Sequence, residues 1–285
     1  MTDVGLLHPG EMGAALGNAL RAVGLEVLWA SDGRSAETAK RAAGLSDAGS
    51  VAELARRCEV LLSVCPPHAA RDVAASVEGF RGVYVDANAV SPATSRALGR
   101  PFARFVDGGI VGSPPRSAGS TRLYLSGAGA EGVAALFAGS VVDARVVSAE
   151  VGDASAVKMA YAAWSKGTAA LLLAIRALAR AEGVEETLLA EWRLSVPELF
   201  DTSERAARSA GSKGWRWIGE MEEIADAFAA AGLPDGFHRA AAEIYRRVPR
   251  LEPEAATVER VVAQLVEETA HNRHEAVTDT ARLPR

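Results

Sequence analysis

At 285 residues the chain is long enough for two domains, each with its own core. Its 49% hydrophobic and 24% charged residues, with a formal net charge of −5, describe an ordinary globular protein and exclude nucleic acid as an expected partner. Two cysteines exclude a disulfide scaffold, and with neither a basic leader nor an apolar stretch near ~20 residues the chain reads as cytoplasmic, without signal peptide or membrane span.

Apolar runs of strand length come first, over residues 4–7, 27–30, 60–64, 83–86, 105–107 and 123–125. Alanine-rich segments of helical periodicity lie between the early ones, over residues 12–23, 35–43, 51–58 and 67–77. That alternation predicts βαβ units, and with them an α/β Rossmann domain with a mostly parallel sheet. Cys58 and Cys65 flank the third run and read as core thiols. Past about residue 150 the strand-like runs stop, which places the domains at 1–151 and 152–285, the second of them all-α. Its longest predicted helix, 154–181, is apolar on nearly every side over residues 169–175, so it is expected to be buried within its domain or against a partner subunit. A homodimer formed through this domain is therefore expected. Further helices are predicted over 186–192, 196–209, 219–231, 237–247 and 255–271, with a frayed polar tail over 275–285.

Directly after the first strand comes Gly5-Leu-Leu-His8-Pro9-Gly10-Glu11-Met12-Gly13, followed by a helix and the second strand. A dinucleotide-binding turn needs glycine where the backbone approaches the pyrophosphate and again where helix packs on strand, and Gly10 and Gly13 fit those places. His8 stands where the first glycine of G-x-G-x-x-G is usual, leaving the motif incomplete. Two readings of His8 stay open: a hydrogen bond to the ligand, or a brace for the turn. The helix that follows directs its free N–H groups and positive dipole end at phosphate. At the tip of the second strand, Ser31-Asp32-Gly33-Arg34-Ser35 carries no acid at the strand end itself. With Asp32 turned to solvent, Ser31 and Arg34 favour the 2′-phosphate of NADP.

These segments, with those that follow, resemble the β-hydroxyacid dehydrogenase superfamily, related to 3-hydroxyisobutyrate dehydrogenase and to the N-terminal domain of 6-phosphogluconate dehydrogenase. Val64-Cys65-Pro66-Pro67 is similar to the family's Leu-Pro loop along the cofactor, and Asp86-Ala-Asn88-Ala89-Val-Ser91-Pro92 to its Asp-x-Ser-Thr-x-x-Pro segment. Asp107-Gly-Gly-Ile-Val111-Gly112-Ser113 is similar to Asp-Ala-Pro-Val-Ser-Gly-Gly, and Gly152-Asp-Ala154-Ser-Ala-Val-Lys158 to the Gly-x-Gly-x-x-x-Lys motif that supplies a catalytic lysine. The resemblance implies NADP (NADPH) held by His8, Pro9, Gly10, Glu11, Met12, Ser31, Arg34, Cys65, Pro66 and Asn88. It implies Lys158 as general acid/base, with substrate met by Asn88, Gly112, Ser113, Tyr161 and Ser165. No metal is implied. The C-terminal half resembles a short subgroup labelled 6-phosphogluconate dehydrogenase-like, but it is shorter than that of the decarboxylating enzyme, so that reaction is not expected.

Reducing a carbonyl builds negative charge on oxygen, and a lysine able to donate a proton there lowers the barrier. On a helix Tyr161 and Ser165 follow Lys158 on roughly one face; Tyr161 is either a substrate contact or a core aromatic. Lys166 is either a second positive charge in the cleft or a solvated side chain. Ala162, Val111 and the pair Asn88-Ala89 replace family residues that hold small hydroxyacids, so a different or less polar substrate is expected, with Asn88 the surviving polar anchor. Trp217, Met221, Ile224 and Phe228 form a helical core stripe, and Arg216, Glu220 and His238 are secondary candidates for the cleft. The leading expectation is an NADP-dependent oxidoreductase acting on a carbonyl or alcohol. An imine reductase and a nucleotide-binding sensor without chemistry are the alternatives.

Overall fold

The computed structural model describes residues 3–267, so the predicted tail over 275–285 and the end of the last predicted helix lie outside the described residues. The chain forms two compact units. One runs to Tyr161 and takes in Ala230–Gly232; the other comprises Ala162–Ala229 and the described residues from Leu233 onward.

The first unit holds an eight-stranded sheet: β1 (Val4–Leu6), β2 (Val27–Trp29), β3 (Ser46–Asp47), β4 (Val60–Ser63), β5 (Val83–Asp86), β6 (Phe105–Gly112), β7 (Thr121–Ser126) and β8 (Val142–Ser148). The order is β3-β2-β1-β4-β5-β6-β7-β8, parallel throughout except where β6 meets β7. Alternate residues feed opposite faces, as the strand period of two requires. Leu6, Leu62 and Val85 join Leu16, Leu20 and Phe137 on one side, while Leu7, Leu61 and Tyr84 join Leu54, Phe102 and Phe105 on the other. The helices of this unit are α1 (Glu11–Ala22), α2 (Ala36–Arg41), α3 (Val51–Arg57), α4 (Ala70–Ala75), α5 (Pro92–Gly99) and α6 (Ala130–Leu136). Strand order reverses between β1 and β4, and loops leaving such a switch point part to opposite sides, opening a crevice at the carboxyl ends of the strands.

Four elements lie outside the runs picked out in the sequence. β3 has no apolar residue, and β8 is an edge strand with only half its side chains covered. α5 is announced by Ser91, whose side chain accepts from the Thr94 N–H ahead of Pro92, a cap followed by an N-terminal proline. α6 is one short helix of seven residues. β6 continues well past the three residues expected, because Asp107, Gly108 and Gly109 interrupt its apolar pattern without interrupting its pairing.

The next helix, α7 (Asp153–Ala181), starts in the first unit and continues in the second, so the division falls inside the helix rather than ahead of it. The second unit continues with α8 (Glu185–Ser195), α9 (Glu198–Ala230), α10 (Gly236–Arg247) and a final helix over residues 258–267. The two helices predicted over 196–209 and 219–231 are one. Gly211 and Gly214 read locally as a break, but a Cβ on Gly211 would lie 2.9 Å from the Cβ of Ala256, so glycine serves close packing there and the helix runs on. Arg176 is buried within this unit and compensated by Glu185, Glu204 and Ser203 at 2.9, 2.8 and 3.3 Å. Along α7, Trp164, Leu171 and Leu178 are 66%, 43% and 63% exposed at seven-residue spacing, so the expected burial holds for other faces of the helix and not for this one. No described helix is long and apolar enough to cross a membrane.

Candidate cofactor and active site

The β1–α1 turn divides its labour between two glycines. A Cβ on Gly13 would sit 2.3 Å from the backbone oxygen of His8, so the helix reaches β1 only because that atom is absent. Around Gly10 nothing lies within 4 Å of the place a Cβ would take. Gly10 is also the N-cap of α1, and no side chain caps it, which leaves the first N–H groups of a 12-residue helix open to a ligand. His8, in the first-glycine position, has an ordinary backbone conformation, since no non-glycine residue described has positive φ. Its Nε2 lies 2.8 Å from Nη1 of Arg34, and Arg34 Nη2 donates to the Leu7 carbonyl oxygen at 2.9 Å. Both readings left open for His8 thus gain a third, side-chain partner that nothing in the local sequence announces.

At the tip of β2, Asp32 is exposed and Arg34 is partly buried. Ser31 is otherwise engaged. Asp47, at the end of β3, is held below the usual carboxylate range by the Gly49 N–H first and the Ser31 hydroxyl second. Beyond β4 and β5, Asn88 is 2% exposed and its amide is committed: Oδ1 accepts the Cys65 N–H at 2.6 Å, and Nδ2 donates to Ser63 Oγ at 3.0 Å and Asp86 Oδ1 at 2.5 Å. Asn88 therefore clamps the Cys65-Pro66 loop to the sheet. Burial pushes the Cys58 and Cys65 thiols up to about 12; Cys58 is a core thiol as expected, whereas Cys65 is only partly buried at the edge of the core.

The start of α7 is gripped from the sheet. Asp107, fully buried in β6, accepts from Ser95 Oγ (2.8 Å) and Ser155 Oγ (2.6 Å) on Oδ1, and from Ser126 Oγ (3.0 Å), Gly152 N (3.0 Å) and Ser155 N (2.9 Å) on Oδ2. Ser126 Oγ accepts the Ala154 N–H at 3.0 Å. The helix cap thus comes from a carboxylate 48 residues earlier in the chain, with its negative charge at the positive end of the dipole. The sequence signal is an aspartate inside an otherwise apolar strand, which does not by itself announce a helix cap. Gly109 completes the seat, because a Cβ there would lie 2.6 Å from the Ala154 oxygen and 2.9 Å from the Lys158 Cβ. Lys158 therefore rests against β6, partly buried.

Of the remaining expected residues, Gly112 has φ +120° and would meet the Ser120 oxygen with any Cβ, and Ser113 is exposed with its carbonyl accepting from Thr121. Tyr161 is 44% exposed rather than a core aromatic, and Ser165 is partly buried. Lys166 and Glu220 are neither solvated nor free in a cleft, being paired with one another in the second unit, where the Tyr245 hydroxyl donates to the Lys166 carbonyl at 2.6 Å. His238 is buried against Phe228 and Phe237, which lowers its pKa by desolvation, while Met221 and Ile224 occupy the core as the stripe predicted.

A domain family of unknown function, DUF1932, matches residues 179–248. The conserved protein MTH1747, described as structurally similar to 3-hydroxyacid dehydrogenases, is 30% identical, with 86% of this chain and 98% of that one covered and a TM-score of 0.63. A 3-hydroxyisobutyrate dehydrogenase from Mycobacterium tuberculosis, solved with L-serine, shares the fold at TM-score 0.66 and 17% identity, over 93% of this chain and 98% of its own. A reductive aminase from Aspergillus terreus, solved with NADPH and ethyl levulinate, shares it at TM-score 0.54 and 19% identity, over 94% and 99%. With the four motif segments in order on this fold, the chain belongs with MTH1747 to the β-hydroxyacid dehydrogenase superfamily, and DUF1932 covers part of its helical unit.

Proposed function

We propose that the protein is an NADP-dependent oxidoreductase that moves hydride between NADPH and a carbonyl or alcohol, with Lys158 as general acid/base. The observation that carries the nucleotide half is the open space at Gly10 beside an uncapped helix N-terminus: nothing within the protein requires glycine there, whereas a phosphate approaching the backbone does. The N–H groups of Glu11 and Met12 would take the pyrophosphate, with Pro9 shaping the turn, and Arg34 beside Ser31 would take the 2′-phosphate. The Cys65-Pro66 loop, clamped by Asn88, would lie along the nicotinamide half. NADPH, when bound, supplies the hydride. Lys158, seated by Gly109 and by the Asp107 cap of α7, donates the proton to the carbonyl oxygen, or removes it from the alcohol in reverse. Gly112, Ser113 and Tyr161 of the first unit are the residues assigned to substrate.

The two glycines separate binding from folding in a single experiment. Gly10→Ala is expected to weaken NADPH binding roughly tenfold or more by calorimetric titration while leaving the melting temperature unchanged. Gly13→Ala is expected to lower the melting temperature instead, because its Cβ meets backbone. Undiminished NADPH affinity in Gly10→Ala would remove the phosphate from this turn.

The same proposal includes a homodimer. Trp164, Leu171 and Leu178 recur every seven residues on one face of α7, the spacing of a helix-pairing seam, and their exposure in one chain is what a second copy would cover. Sedimentation is expected to show a dimer at micromolar concentration; a monomer there would sink the idea.

A further inference from the structure

His8 and Arg34 meet across 26 residues of chain, where the β1–α1 turn faces the loop leaving β2. Arginine only donates, so Nε2 of His8 accepts the Nη1 hydrogen and the ring is neutral, with its proton on Nδ1. Burial first, and the neighbouring guanidinium charge second, hold His8 below the ordinary histidine range, which agrees with an uncharged ring at neutral pH. The bond from Nη2 to the Leu7 carbonyl fixes the guanidinium at a second point. Cys65 also lies near Arg34, but its thiol is pushed up to about 12 and carries no charge that would neutralise the guanidinium at neutral pH.

What remains unsatisfied is telling. The Arg34 Nε–H and the His8 Nδ1–H are both buried and both lack a hydrogen-bond partner among the described residues. Buried donors are rarely left so, and these two stand beside an uncapped helix N-terminus and the open flank of Gly10. The uncapped N-terminus and the room at Gly10 suit an anionic ligand, and the Arg34 guanidinium adds a positive charge beside them.

Resting on the oxidoreductase reading above, we propose that His8 is the positioning residue for cofactor choice, holding Arg34 against the β1–α1 turn so that its remaining N–H groups meet the 2′-phosphate that distinguishes NADPH from NADH. A glycine in its place would leave Arg34 a mobile side chain that must be ordered by the ligand itself. The turn accommodates histidine here because its backbone does not use a glycine conformation at this position.

Dissociation constants for NADPH and NADH, measured by calorimetry on the full chain, test the proposal without reference to turnover. Wild type is expected to favour NADPH by about tenfold or more, and both Arg34→Ala and His8→Gly to weaken NADPH about tenfold while leaving NADH within about twofold. His8→Gln, whose amide oxygen accepts a hydrogen bond as Nε2 does, is expected to recover most of the loss. A purely structural defect would weaken both nucleotides together. An unchanged NADPH-to-NADH ratio in His8→Gly overturns the role of His8. Equal binding of the two nucleotides by wild type overturns the phosphate anchor but leaves the dinucleotide reading standing, and binding of neither overturns both.

Discussion

Alanine in place of Asp107 is expected to cost about 3–5 kcal/mol of folding stability, measured by urea denaturation. The change orphans two buried backbone N–H groups, those of Gly152 and Ser155, and removes the acceptor of three serine hydroxyls. Asparagine should be milder, at about 1–2 kcal/mol, because the amide can place its oxygen at the Oδ2 position and keep both backbone bonds. The hydroxyls of Ser95 and Ser155 then rotate to accept from the amide hydrogens. The order, alanine well below asparagine, distinguishes a cap for α7 from mere packing. Two variants equal within about 0.5 kcal/mol would show that the backbone donors are satisfied by something other than Asp107.

Lys158→Met is expected to lower kcat by about 10²–10⁴ while leaving the NADPH dissociation constant within about twofold of wild type. Methionine keeps the apolar stem, whose Cβ lies over Gly109, and removes the group that exchanges a proton. A panel of β-hydroxy acids, ketones and imines identifies which compound wild type turns over, and the variant is then assayed on that compound. A loss smaller than about threefold would dismiss Lys158 as the acid/base. Imines reduced in preference to ketones would favour an amine-forming reaction, and tight NADPH binding with no turnover on any of the panel would make the chain a sensor.

The sheet was legible in the sequence because buried parallel strands are short apolar runs, and Leu6, Leu61 and Val85 announce themselves in that way. β3 and β8 were not, since a two-residue polar strand and a half-covered edge strand carry little apolar signal. α9 was divided in the sequence because Gly211 and Gly214 look like punctuation until Ala256 and Tyr245 are seen packed against them. In the candidate site, position in a motif singled out Lys158, Gly10 and Gly13 for the proposed roles. It did not identify what Asp107 and His8 do, because both act on side chains or helix ends brought near only by folding. Asn88 shows the converse: its chemistry suggested an anchor for substrate, and the fold commits its amide to a loop of the protein itself.

The contrast between Gly10 and Gly13 also says how this lineage is free to drift. Folding alone requires Gly13, whereas on the proposed reading only a bound nucleotide requires Gly10. A variant relieved of the cofactor could carry a side chain at position 10 while still needing Gly13.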